Sequence, residues 1–104
     1  MPKKETKLVN FFNPKTIAII GASDNTGKVG GILFKKALQT GLKIIPVNPN
    51  HEIIDKLKCY KNILDYPGKI DLAIIAVPSL FVLGALNECG RKNIKNVIII
   101  SAGF

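Results

Sequence analysis

Short continuous apolar runs alternate along this chain with longer stretches in which apolar residues recur at helical spacing. Thr16-Ile17-Ala18-Ile19-Ile20, bounded by Pro14 and Gly21, predicts a strand buried on both faces. From Val29 to Thr40, Leu33, Phe34, Ala37 and Leu38 share one side of a helix, Lys35, Lys36 and Gln39 take the other, and Gly41 supplies the stop. Lys43 to Asn48 predicts the second strand, ended by Pro49; Pro46 has no N–H to donate, so one ladder bond should be missing there. The pattern weakens between Asn50 and Pro67, where a connector, a short edge strand near Lys58-Cys59-Tyr60 and a helical turn around Ile63 to Tyr66 are expected. Asp71 to Val77 is again a doubly buried run, stopped by Pro78, with Ser79 placed to cap the next helix. In that helix Val82, Leu83, Leu86 and Cys89 form the expected buried stripe. Arg91 and Lys92 suit its negative end, and Asn93 suits a left-handed stop. Asn96 to Ser101 is the last strand.

Repeated βα alternation with doubly buried strands predicts an α/β fold, a Rossmann-like doubly wound parallel sheet with right-handed crossovers. It occupies residues 11–104 as one domain, after a basic N-terminal arm over residues 1–10. A final strand with no helix to cover it suggests a sheet truncated at its C-terminus. The expectation is the N-terminal part of a longer protein, or of a subunit whose other segments lie elsewhere.

Composition narrows the function classes. With 47% hydrophobic residues in 104, most of the chain is too apolar for disorder. The longest uncharged run, Leu72 to Asn87, is broken by Pro78-Ser79 and falls short of the ~20 apolar residues that span a bilayer. The N-terminal apolar stretch is too short for a secretory signal, so a cytoplasmic protein without membrane contact is expected. Fifteen basic against seven acidic residues give a net charge of +8, which points to an anionic partner. The basic residues are interleaved with Glu52, Asp55, Asp65 and Glu88, and there is no tryptophan and only 7% aromatic content. A nucleic-acid surface of stacked bases is therefore disfavoured, and a small phosphorylated ligand fits better. Two cysteines and one histidine without a CxxC pair support neither a metal site nor a disulfide framework.

In an open parallel sheet the ligand sits beyond the carboxyl ends of the strands. The first such loop runs from Gly21 to Gly31, from a strand into a helix. It is not a dinucleotide fingerprint, because Ser23 replaces the second glycine; nor is it a Walker loop, because Val29 stands where Ser or Thr would hold magnesium. What remains is a set of free N–H groups at a helix N-terminus with Lys28 adding a point charge, an anion site of non-standard form. Packing alone would explain Gly30 and Gly31. The second strand ends in Asn48-Pro49-Asn50, without the carboxylate that an NAD site uses on the ribose. An adenosine carrying a ribose phosphate is then not repelled, and coenzyme A carries one at its 3′ position.

The ordered series Phe12-Asn13-Pro14, IAIIGAS, GKVGG, PVNP, DLAIIAVP, ECG and ISAGF resembles the N-terminal CoA-binding domain of NDP-forming acyl-CoA synthetases, the alpha region of ADP-forming acetate–CoA ligases. It is more distantly similar to the alpha subunit of succinyl-CoA ligase. The resemblance covers residues 11–104. It implies that Gly21, Ala22, Ser23 and Asp24 line the phosphate and adenosine region, with Lys28 and Val29 next in the loop. It also implies that Val47, Asn48 and Pro49 flank the adenine and ribose, and that Val77, Pro78, Ser101 and Ala102 border the pantetheine path. The implied reaction interconverts acyl-CoA, ADP and phosphate with a carboxylic acid, CoA and ATP through an acyl phosphate and a phosphohistidine. In that scheme this segment binds CoA and carries no catalytic residue. The ADP/ATP and magnesium sites and the phosphorylated histidine belong to further domains or to an ATP-grasp beta subunit. The chain alone would then be inactive.

Two departures from the family pattern stand out. The lysine that often follows PVNP is replaced by Asn50-His51, leaving Lys56 or Lys58 as substitutes, and the glycine common before the edge strand is replaced by Asp55 or Lys56. His51 reads as a surface or ligand-rim residue, and Cys59 and Cys89 as core packing. The alternatives are a stand-alone or acetyltransferase-fused CoA-binding regulatory module and, less favoured, an NAD(P)-binding Rossmann protein.

Overall fold

A computed structural model describes residues 13–100 of the chain. The basic arm, Ser101 and Ala102 lie outside the described residues. Four parallel strands, β1 (Thr16–Ile20), β2 (Lys43–Val47), β5 (Leu72–Ile75) and β6 (Val97–Ile99), form a sheet in the order β2-β1-β5-β6. Helix α1 (Val29–Leu38) connects β1 to β2, and α2 (Val82–Arg91) connects β5 to β6. The expected α/β architecture is present, with a small two-stranded hairpin, β3 (Ile53–Ile54) and β4 (Leu57–Lys58), added after β2.

Alternation along each strand assigns the two faces. Ile17, Ile19, Ile44 and Leu72 pack with Phe34 and Ala37 of α1, while Ala18, Ile20, Ile45, Ala73 and Ile75 pack with Ala85 and Cys89 of α2. Both sides of β1 are therefore sealed, and burying an isoleucine such as Ile19 contributes about 2–3 kcal/mol. The backbone of Pro46 turns its nitrogen toward the outer edge of β2, since its own carbonyl accepts from Tyr60 on that side while Val47 bonds β1. The missing donor therefore falls on the outer side, as suits proline in a strand at the edge of the four-stranded sheet, and no β1 ladder bond is lost.

Other local readings change as well. Ser79 makes no capping bond; it opens a 3-10 turn over Ser79–Phe81, and α2 begins after it. The buried stripe of α2 is Val82, Ala85 and Cys89, whereas Leu83 is 79% exposed and Leu86 also faces solvent. Asn93 does take the left-handed stop, φ 62°, and completes a two-bond Schellman closure through Asn93 N–H to Gly90 O and Ile94 N–H to Cys89 O. The expected edge strand is present, as β4 and a parallel bridge of Tyr60 to Val47, and it forms one arm of a hairpin. Its two central residues, Asp55 and Lys56, have φ of 50° and 67°, the pattern of a type I′ turn.

Candidate functional site

The chain runs from β1 to β2 on one side and then to β5 on the other, so the strand order reverses at β1. The crevice at such a reversal opens above the carboxyl ends of β1 and β5. Gly21 stands there with φ +96°, and a Cβ on it would lie 2.3 Å from the carbonyl oxygen of Ala76. Its N–H donates to Val47 O at 2.8 Å, and Ala76 N–H donates to Ile20 O at 2.8 Å, so three strand ends are tied at one point. The loop that follows is held equally close to α1. A Cβ on Gly30 would fall 1.8 Å from Gly21 O, and one on Gly31 2.0 Å from Asn25 O, so both glycines serve close packing.

Side chains within the loop shape its backbone. The buried Ser23 Oγ accepts from Asn25 N–H at 3.0 Å, Asn25 Oδ1 accepts from Gly27 N–H at 2.9 Å, and Asn25 O accepts from Lys28 N–H at 3.1 Å. These successive turns leave the N–H groups of Ser23, Asp24, Thr26, Val29, Gly30 and Gly31 without an acceptor among the described residues. Helix α1 has no side-chain cap and no acidic residue in its first turn. Its positive end is thus unscreened, with the exposed Lys28 at its N-cap, and a phosphate group suits such a place. Asn25 was not among the residues singled out in the sequence. The run Ser-Asp-Asn-Thr-Gly carried a signal for it, because short polar side chains that bond the backbone two residues on favour this kind of turn.

The remaining expected residues gather around the same end of the sheet. Ala22 and Val47 are fully buried, so only their backbones can face a ligand; Asp24, Pro49 and Pro78 are exposed, and Val29 and Val77 half-buried. Asn48 donates through Nδ2 to Ala22 O at 2.8 Å, which joins the β2 loop to the β1 loop. His51 is half-buried and donates its backbone N–H to Asn48 O at 3.4 Å. Lys58 holds its ammonium 5.1 Å above the Tyr60 ring, and Lys56 stands in the hairpin turn. Neither cysteine is poised as a nucleophile: burial pushes the Cys59 thiol up, and burial with the charge of Glu88 pushes Cys89 up to about 11. Among the described residues no cluster of His, Cys, Asp and Glu could hold a metal ion, and no helix is long and apolar enough to cross a membrane.

Comparison with known proteins agrees with this geometry. Residues 15–104 match the family described as CoA binding domain. The chain is 46% identical over 100 residues to the acetate–CoA ligase [ADP-forming] of Methanocaldococcus jannaschii, covering 96% of this chain and 14% of that protein. It is 48% identical over 95 residues to the alpha subunit of acetate–CoA ligase [ADP-forming] II of Pyrococcus furiosus, covering 90% of this chain and 21% of the subunit. Among solved structures, the dinucleotide forming acetyl-coenzyme A synthetase 1 of Ca. Korarchaeum cryptofilum, in complex with phosphate and ADP, superposes with a TM-score of 0.84 at 39% identity, over 93% of this chain and 21% of the synthetase. The chain thus spans about a fifth or less of these relatives. A crevice of backbone donors without an acceptor among the described residues, together with a family match over nearly the whole chain, leads to one assignment: the chain belongs to the CoA-binding domain family and is homologous to the N-terminal region of ADP-forming acetate–CoA ligases.

Proposed function

We propose that this chain binds coenzyme A at the β1–α1 crevice and aims its thiol toward other segments of an ADP-forming acyl-CoA ligase. The observation that carries the reading is the set of N–H groups of Ser23, Asp24, Thr26, Val29, Gly30 and Gly31, without an acceptor among the described residues, at an uncapped helix start, with no carboxylate at the end of β2. The CoA diphosphate would lie against Ser23, Asp24 and the first turn of α1, with Lys28 beside it. Pro49 and the backbone of Asn48 would border the adenosine side, and Val77, Pro78, Ser101 and Ala102 the pantetheine. The chain's part is binding and orientation. The phosphoryl-carrying histidine, the ADP/ATP site and its magnesium belong to the ligase's other domains or beta subunit, so the chain alone turns over no acyl-CoA. Calorimetric titration of CoA, dephospho-CoA and NAD into the folded chain tests this. CoA should bind most tightly, dephospho-CoA more weakly for want of the 3′-phosphate, and NAD weakest. A folded chain that binds NAD and ignores CoA would sink the assignment.

A further inference from the structure

We infer that Asn48 is a positioning residue rather than a ligand contact: it holds the Ala22–Ser23 peptide so that the Ser23 N–H faces the CoA diphosphate. The inference rests on the CoA reading above, but its geometry is independent of it. Every polar atom of Asn48 has a protein partner, and only the second Nδ2 hydrogen is uncommitted among the described residues. Its N–H donates to Tyr60 O at 2.9 Å, its C=O accepts from His51 N–H at 3.4 Å and lies 3.6 Å from Cys59 Sγ, and Oδ1 accepts from Asn50 N–H at 2.9 Å. Nδ2 donates to Ala22 O at 2.8 Å. The partners fix the orientation of the amide, since Asn50 N–H only donates and Ala22 O only accepts.

The consequence lies one atom further on. A trans peptide sets its N–H opposite its C=O, so a carbonyl of Ala22 turned to Asn48 sends the Ser23 N–H away from Asn48. That N–H has no acceptor among the described residues. Accepting from Nδ2 also polarises the peptide and makes its N–H a better donor. Ala22 is fully buried, so without Nδ2 its carbonyl would be orphaned and the peptide would be free to turn its oxygen toward the anion. Aspartate at this place could keep the bond from Asn50 but would set a carboxylate against a carbonyl. The lack of an acid at the end of β2 is then a requirement of the strut itself.

Two measurements test the strut. In the parent chain labelled with ¹⁵N, CoA addition should move the Ser23 amide signal strongly and leave the Asn48 side-chain amide nearly in place. An Asn48 side chain that moves as far as Ser23 overturns the inference, and this result needs no variant to fold. Asn48→Asp should shift the Ser23 amide before any ligand is added and weaken CoA and dephospho-CoA by a similar factor, about tenfold. Unchanged affinity with an unmoved Ser23 amide, or newly acquired NAD binding, would overturn it. If CoA binds neither protein, the functional reading fails, while the strut is still decided by the Ser23 amide of the unliganded pair.

Discussion

Gly21 and Gly41 both sit at positive φ, +96° and +75°, yet only one of them is also pressed against a neighbour. A Cβ on Gly21 would reach 2.3 Å from Ala76 O, whereas nothing lies within 4 Å of one on Gly41. The pair separates backbone strain from collision. Gly41→Ala should lower stability by about 1 kcal/mol, the cost of a left-handed alanine. Gly21→Ala adds overpacking against a strand end that has no room to move, for a total of about 3 kcal/mol. Urea unfolding of both variants checks this, and equal losses would mean that the Gly21 turn relaxes freely. The same tightness suits this residue to the start of the candidate loop: its position is fixed by its own N–H bonded to Val47 O and by Ala76 N–H bonded to Ile20 O.

At the scale of elements, the hairpin of β3 and β4 is the place where the local sequence disagrees most with its own geometry. Asp55 and Lys56 both adopt left-handed backbone in a two-residue turn, where Asp-Gly is the favoured pair. Lys56→Gly should therefore stabilise the chain by about 0.5–1 kcal/mol, after allowing for the entropy that glycine loses on folding. Raised hydrogen-exchange protection at Cys59 N–H, which bonds Glu52 O across the hairpin, would locate the gain; a lower melting temperature would contradict it. The hairpin was not legible because its strands are two residues long and its turn carries neither glycine nor asparagine. β1, β2 and β5 were legible for the opposite reason, as β-branched runs buried on both faces leave a continuous apolar signal. Helix α2 lies where the spacing predicts it, and Val82 and Cys89 of the expected stripe are in place, but Ala85 takes the inner position assigned to Leu83 and Leu86. Leucines dominate a count of apolar residues, while the residues that approach β5 closely are the small Ala85 and Cys89. Much the same holds at the candidate site: the glycine loop and its free donors follow from residue order, but the Asn48 bridge joins residues 26 apart in sequence and is visible only once β1 and β2 are paired.

For the whole molecule the excess of positive charge and one carboxylate act together in acid. Asp71 Oδ2 accepts from the backbone N–H of Lys15 at 2.9 Å and of Thr16 at 3.0 Å, clasping the starts of β1 and β5, and these bonds hold its carboxyl below the ordinary range. A carboxyl whose folded pKa lies below its unfolded one contributes stability above the unfolded value and loses it as pH falls through the folded one. The clasp should thus be intact at neutral pH and fail below about pH 4. In the same interval the seven acidic residues lose their charge while the fifteen basic ones keep theirs, so self-repulsion grows as the clasp opens. Salt separates the two effects, because it screens repulsion between exposed charges but does not restore a protonated acceptor. Urea unfolding followed from about pH 6 to 2.5, with and without about 0.5 M salt, should show a loss that salt reverses only in part. In Asp71→Asn the stability at pH 6 should already be lower and its further fall in acid smaller, leaving mainly the salt-reversible portion. If that variant and the parent fall in parallel, the acid response belongs to net charge alone and the Asp71 clasp contributes nothing to it.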